Sequence, residues 1–269
     1  MTSNGADNAW TAQRVAEIVL SAEAGASARS SINAEWPEFD IDIAYAAQDL
    51  ALQLRRARGE TVVGVKLGLT SRAKQLQMNV DEPSVAWLTD AMEFGPGLPL
   101  PRSRLIHPRA EPEIVFQLGT TLEGPGVTAA SALASVARVM GGIEIIDSRY
   151  SGFKFTLNDG IADNNSSGLY VTGPVHVSPE GLDLTLEGCL FEVDGHVIDS
   201  ATGAAALGHP AQALAFAANK LAERGHALQA GWVVLTGGLT EAVPVAPGAR
   251  IAAHFTNLGS IVVDGGRGE

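Results

Sequence analysis

Three glutamates occupy positions where a carboxylate seldom stands without a partner. Two lie in His107-Pro108-Arg109-Ala110-Glu111-Pro112-Glu113-Ile114-Val115-Phe116. Residues two apart on a strand point to one face, so Glu111 and Glu113 would project side by side. Neighbouring carboxylates repel, and each resists losing its water. That leaves two stable arrangements: a solvated acidic face, or a cation held between them. Pro112 cannot donate to a strand ladder, which predicts an edge strand or a strand that begins here. The third acid, Glu144, interrupts the apolar run Gly141-Gly142-Ile143-Glu144-Ile145-Ile146. A carboxylate in such a run needs a partner. A cation shared with Glu111 and Glu113 would supply one; a salt bridge to a nearby Lys or Arg would supply another. Three carboxylates with waters completing an octahedron suit Mg2+ or Mn2+. Zinc fits less well, because neither Cys nor paired His occurs at ligand spacing. Asp147 and Arg149, two residues apart just downstream, are expected to pair with each other.

Other residues add to this chemistry. Lys66 sits mid-strand in Val65-Lys66-Leu67. It either snorkels to the surface or points into a site, where an ammonium offsets negative charge or moves a proton. The turn Ala162-Asp163-Asn164-Asn165-Ser166-Ser167-Gly168 is rich in donors and suits a bound carboxylate, or equally an ordinary Asx turn. Leu235-Thr236-Gly237-Gly238-Leu239-Thr240 ends a strand with two glycines, which permits close backbone approach. His107 and His209 read as structural or as supports behind the site residues.

These residues must be positioned by a scaffold. Residues 1–60 read as a helical region: Val15, Ile18, Val19 and Ala22 share one helical face. A second helix is expected over 41–58, with Ile43, Ala47, Leu50 and Leu54 inward and Gly59 as its stop. Residues 61–269 read as a catalytic domain made mostly of strands. The first covers 61–69, and Thr70 or Ser71 caps a short helix through Gln77. Residues 93–103 form a long Pro- and Gly-rich turn. Further strands are expected over 114–118, 143–146, 184–193, 232–236, 250–255 and 260–263, and one helix over 210–224. The pattern is α+β with a mostly β core.

Composition excludes several classes. The net charge is −12 with a pI of about 4.9, and no basic run offers a phosphate-binding stripe, so nucleic acid is an unfavoured partner. No apolar stretch approaches the ~20 residues of a membrane span. The start MTSNGADNAW lacks the features of a secretory signal, and the single Cys189 rules out an internal disulfide framework. The expectation is a cytoplasmic protein. No nucleotide-binding glycine motif follows a strand.

Read in order, Lys66-Leu-Gly-Leu-Thr-Ser71, His107-Pro-Arg-Ala-Glu-Pro-Glu113, Glu144-Ile-Ile-Asp-Ser-Arg149, Ala162-Asp-Asn-Asn-Ser-Ser167, Leu207-Gly-His-Pro210 and Leu235-Thr-Gly-Gly238 resemble the fumarylacetoacetate hydrolase superfamily. The nearer branch is that of the 2-oxopent-4-enoate hydratases and 4-oxalocrotonate decarboxylases of aromatic meta-cleavage catabolism. The likeness runs from about residue 40 to 263. It implies a mixed β-roll core behind a small N-terminal helical region. It also implies Mg2+ or Mn2+ on Glu111, Glu113 and Glu144, an active-site Lys66, and Ser166 and Thr240 near the substrate. The segment Asp147-Ser-Arg-Tyr-Ser-Gly-Phe-Lys-Phe155 resembles the decarboxylases, as does Thr236–Thr240, while Val80-Asp-Glu-Pro83 leans toward the hydratases. Pro112 stands where the family commonly has Ala. The resemblance therefore implies a lyase that decarboxylates 2-oxohex-3-enedioate, with Phe153 and Phe155 as an apolar wall. Water addition to 2-hydroxypenta-2,4-dienoate is the alternative. Acylpyruvate-type C–C hydrolysis is a further one, although the Glu-His pair usual for it has no match near Lys66. The partners implied are a small 2-oxo acid and either further copies of the chain or a sister hydratase.

Overall fold

The computed structural model describes residues 9–267. The N-terminal helices are α1 (Ala12–Ala24), α2 (Ile32–Glu35) and α3 (Ile41–Ala57). Thr11 caps α1 by accepting from Arg14 N, and Asp40 caps α3 by accepting from Ile43 N. These are oxygen side chains at the position where first-turn amides lack partners. Arg55 and Arg56 close the last turn of α3, and Gly59, at φ +99°, turns the chain away. The buried face of α3 is rotated from the expected one. Ala44, Ala47, Gln48, Ala51 and Arg55 are inward, whereas Ile43, Leu50 and Leu54 are only half-buried. Polar side chains win this face because partners await them: Gln48 Nε2 donates to the carbonyls of Val85 and Ile161, and Arg55 is ion-paired with Glu23.

There follow β1 (Val62–Gly68), α4 (Arg72–Met78), β2 (Ser84–Thr89), β3 (Arg109–Leu118), α5 (Ala129–Ala134), β4 (Val136–Ile146), α6 (Leu157–Ala162), β5 (Ser167–Thr172), β6 (Gly188–Val193), β7 (His196–Thr202), α7 (Pro210–Ala222), β8 (Val233–Leu235), β9 (Val243–Pro244), β10 (Arg250–Phe255) and β11 (Ser260–Asp264). One curled, mixed sheet has the order β2-β1-β8-β3-β4-β5, with β9 also pairing with β3. Only β1 and β8 run parallel there. A second, antiparallel sheet has the order β11-β10-β6-β7. It packs on β4, and Gly141 permits the approach: a Cβ there would lie 2.6 Å from the Phe255 ring and 2.8 Å from Ile261. The arrangement is α+β. Ile114, Phe116, Ile143, Phe191, Leu214 and Ile251 belong to the main core. The N-terminal helices have a core of their own, in which Val15, Val19, Ile32 and Phe39 pack with Tyr150, Ile161 and Ala162. They thus press on the segment that closes one side of the site.

Pro112 is placed differently from the expectation. It is the fourth residue of an inner, ten-residue strand. Its register partner is Ile143 of β4, while its carbonyl accepts from Leu239 N on the opposite side. The nitrogen of a strand residue points the same way as its carbonyl, so the missing N–H faces the loop between β8 and β9, where no ladder demands it. The expected strand over 184–193 begins only at Gly188, and β2, β5, β7, α5 and α6 were not expected.

Candidate active site

The register of β3 against β4 brings the acids together. Glu111 is directly opposite Glu144, and Glu113 lies two residues further along the same face. One oxygen from each of the three lies within 4.8 Å of the others. All are buried: Glu111 is 7% exposed, Glu144 2% and Glu113 0%. Glu113 Oε2 accepts from Gly237 N at 2.7 Å, whereas its Oε1 is buried with no hydrogen-bond partner. Burial, then the charges of Glu144 and Glu111, push the Glu113 carboxyl well above the usual range. Burial also raises Glu144, opposed by Lys66. Like charges crowded in a dry place, one with an orphaned oxygen, fit a hard divalent cation that would satisfy all three. The two glycines after β8 serve the same centre. A Cβ on Gly238 would lie 2.6 Å from the Glu111 carboxylate, so a larger residue there would have to displace that side chain.

Lys66 projects from β1 into this centre and is 2% exposed. Its ammonium lies 2.6 Å from Glu144 Oε1 and donates to the carbonyl of Asn165 at 2.7 Å. The Asn165 contact is a hydrogen bond and the Glu144 contact an ion pair, which together hold the ammonium at the centre. The turn that presents Asn165 is unusual: Asn164, Asn165 and Ser166 all have φ between +50° and +57°. Consecutive left-handed residues of this kind are strained and need support. Asn164 bonds the backbone of Trp87 through both its amide atoms. Asp163 forms a buried ion pair with Arg149, whose guanidinium also holds the carbonyls of Asp147 and Ser167. Asp147 and Arg149 therefore do not pair as side chains. The Asp147 carboxylate accepts instead from the amides of Ile106 and His107, fixing the entry to β3.

A cavity of about 250 Å3 opens onto the centre. Lys66, Glu111, Glu144, Asn165 and Ser166 line its polar part, and Ile146, Phe153, Phe155 and Leu157 its apolar part. Thr240 stands apart from the lining. Its hydroxyl donates to the Glu241 carbonyl, and it is Gly238, Glu241 and Ala242 that face the cavity. His209 caps α7 by accepting from Ala211 N, and His107 rests 4.8 Å from the Phe153 ring. Asn165 lies in the donor-rich turn expected to suit a carboxylate, whereas Arg109 also lines the cavity without having been singled out. The Asn165 Nδ2 is a buried donor without a partner. Arg109 carried a readable signal, since it precedes Glu111 by two and so continues the same strand face.

No family model matches the chain. Among curated proteins, a 4-oxalocrotonate decarboxylase of Pseudomonas sp. (strain CF600) is 40% identical over 247 residues, covering 92% of this chain and 94% of that one. The chain belongs to the fumarylacetoacetate hydrolase superfamily, in its hydratase and decarboxylase branch. Within that branch, a 2-hydroxyhexa-2,4-dienoate hydratase of Comamonas testosteroni is also 40% identical, over 226 residues, 83% of this chain and 86% of its own length. A solved 4-oxalocrotonate decarboxylase from Pseudomonas putida G7, complexed with magnesium and adipate, superposes with a TM-score of 0.92 at 39% identity, covering 94% of this chain and 96% of the other. The superfamily's β-roll core behind a small helical region is the architecture described above.

Proposed function

We propose that this chain is a divalent-metal-dependent lyase that decarboxylates 2-oxohex-3-enedioate to 2-hydroxypenta-2,4-dienoate. The reading rests most on the register that sets Glu111, Glu113 and Glu144 round one point beside Lys66, at the end of a cavity with an aromatic wall. The likeness to the 4-oxalocrotonate decarboxylase of strain CF600 spans 92% of the chain, and the solved decarboxylase with magnesium and adipate covers 94% of it. Mg2+ or Mn2+ on the three carboxylates would supply Lewis-acid stabilisation of the developing negative charge on the 2-oxo acid. Lys66, held by Glu144 and Asn165, directs an N–H at the substrate's C2 oxygen and delivers a proton there. The C5–C6 bond breaks and its pair becomes the C4–C5 double bond. The C3–C4 pair shifts to C2–C3, and the C2 carbonyl pair ends on oxygen, which takes the proton. C6 leaves as CO2. Phe153 and Phe155 keep bulk water from the distal end, which favours loss of the carboxylate as a neutral molecule. Ser166 stands next to the substrate on the polar side of the cavity, its hydroxyl donating to Asp163, and Thr240 supports the loop that carries Glu241.

Hydration of 2-hydroxypenta-2,4-dienoate is the second reading, favoured by the equal identity to a hydratase. One assay separates them. Incubation with 2-oxohex-3-enedioate and Mg2+ should release CO2, and chelation should stop it. Water addition to the pentadienoate without CO2 release would establish the hydratase instead. We place the enzyme in a reducing cytoplasm, in keeping with its buried free Cys189, and working as a homo-oligomer or beside a sister hydratase.

A further inference from the structure

Arg109 begins the strand that bears two of the proposed metal ligands. Strand residues two apart share a face and stand about 6.6 Å apart, so Arg109, Glu111 and Glu113 form a row along one wall. The row descends in burial: Glu113 is fully buried, Glu111 nearly so, and Arg109 half-buried. Its backbone is fixed on both sides, with Ile146 opposite on β4 and Pro244 opposite on β9. The guanidinium carbon lies 4.4 Å from the centroid of the Phe153 ring, inside the same cavity. Cation–π attraction holds the group there without occupying its carboxylate-binding fork. No carboxylate among the described residues is ion-paired with it. Ile146, Phe153, Phe155 and Leu157 line the apolar part of the same cavity, and Glu111, Glu144 and exposed Glu241 are its carboxylates. A half-buried cation stacked on a ring, with no ion-paired carboxylate and lining the same cavity as Glu111 and Glu144, is suited to an anionic ligand group.

We propose that Arg109 is the specificity-determining residue that binds the distal carboxylate of a six-carbon dicarboxylate, and so selects diacids over 2-oxo monoacids. The inference rests on the lyase reading above and names the substrate class of that site. An extended six-carbon chain with bonds of about 1.5 Å spans on the order of 6 Å between its carboxyl carbons, and the cavity of about 250 Å3 that holds it is lined by Glu111 and Glu144 as well as Arg109. The chemistry assigns the effect to binding. The distal carboxylate loses its charge as it leaves, so its contact with Arg109 weakens toward the transition state. Such an interaction lowers KM without raising kcat.

The test uses the full chain loaded with Mg2+, as wild type, Arg109→Gln and Arg109→Lys. Calorimetric titration with adipate, a diacid, and pyruvate, a 2-oxo monoacid, reads the subsite without turnover. A charge-assisted hydrogen-bonded contact of this kind is worth about 10- to 100-fold in affinity. Adipate should therefore weaken by that factor in Arg109→Gln and by less in Arg109→Lys, while pyruvate and Mg2+ shift by less than about twofold. In CO2-release kinetics the loss should fall on KM for 2-oxohex-3-enedioate rather than on kcat. Equal weakening of adipate and pyruvate would mark Arg109 as merely structural, and unchanged adipate affinity would overturn the assignment. A wild type that releases no CO2 defeats the decarboxylase reading alone, since the adipate titration still judges Arg109. A wild type that releases CO2, paired with an unaltered KM in the variants, defeats only the inference.

Discussion

Replacing Glu113 by Gln should act in opposite directions on the metal-free and metal-loaded protein. Glu113 is fully buried, and the like charges of Glu111 and Glu144 stand beside it. Gln has the same shape, and its carbonyl can still accept from Gly237 N. At a pH above both values, the raised carboxyl costs the metal-free fold about 1.4 kcal/mol for each unit by which its folded pKa exceeds its unfolded one. The substitution removes that cost, so the metal-free variant should melt higher than wild type. Metal binding should suffer instead. Residues that merely support a ligand cost 10- to 100-fold in metal affinity, so loss of an anionic ligand is set at about 100-fold. At a magnesium concentration 100 times the wild-type Kd, binding adds about 2.7 kcal/mol to wild type but only about 0.4 kcal/mol to the variant. For a chain of this size that is a rise in Tm of roughly 5–11 °C for wild type against about 1 °C for the variant. Thermal melts with and without magnesium, paired with calorimetric titration, measure both. A variant that binds magnesium as wild type does, or whose metal-free form melts lower, would refute the reasoning.

Other outcomes follow from the same contacts. Because Glu113 must ionise to bind the cation and its carboxyl is held well above the usual range, binding should expel a proton. Magnesium affinity should therefore climb as pH rises toward that value and then level, while the metal-free protein loses stability over the same interval; titrations at several pH values would show a flat profile above about pH 6 if the carboxyl were ordinary. Asp163→Asn leaves the buried Arg149 guanidinium without its counter-charge and should cost about 3 kcal/mol, read as a lowered denaturant midpoint. Gly141→Val would drive a side chain into Phe255 and Ile261 and should cost about 1–3 kcal/mol, checked the same way. Lys66→Met removes the proposed proton source and the partner of Glu144; CO2 release should fall at least about 100-fold, measured with magnesium in excess.

Much of the scaffold was legible because its periodicities are strong. The helix from Pro210 and the strands at 250–255 and 260–263 follow apolar patterns that tertiary packing reinforced. The acid pair was legible because alternation on a strand fixes which side chains share a face. Its meeting with Glu144 was inferred from the oddity of a carboxylate in an apolar run, and the pairing register supplies the contact. What escaped has local causes. All six residues of β2 are buried, so they show no alternation, while β7 is exposed along nearly its whole length and has no apolar face to read. Pro112 misled because its missing donor faces a loop on one side only of an inner strand. Arg149 chose Asp163 over Asp147, since the amides of Ile106 and His107 had already engaged Asp147. In the left-handed turn at Asn164–Ser166 the two asparagines tolerate the conformation without announcing it, and Ser166 adopts it against its preference.

The most direct test of the account is an anomalous difference map from crystals soaked in Mn2+. A single peak on the order of 2 Å from oxygens of Glu111, Glu113 and Glu144, with the Lys66 ammonium beside it, is the predicted result. A peak elsewhere, or none while these side chains turn apart, would contradict the central claim.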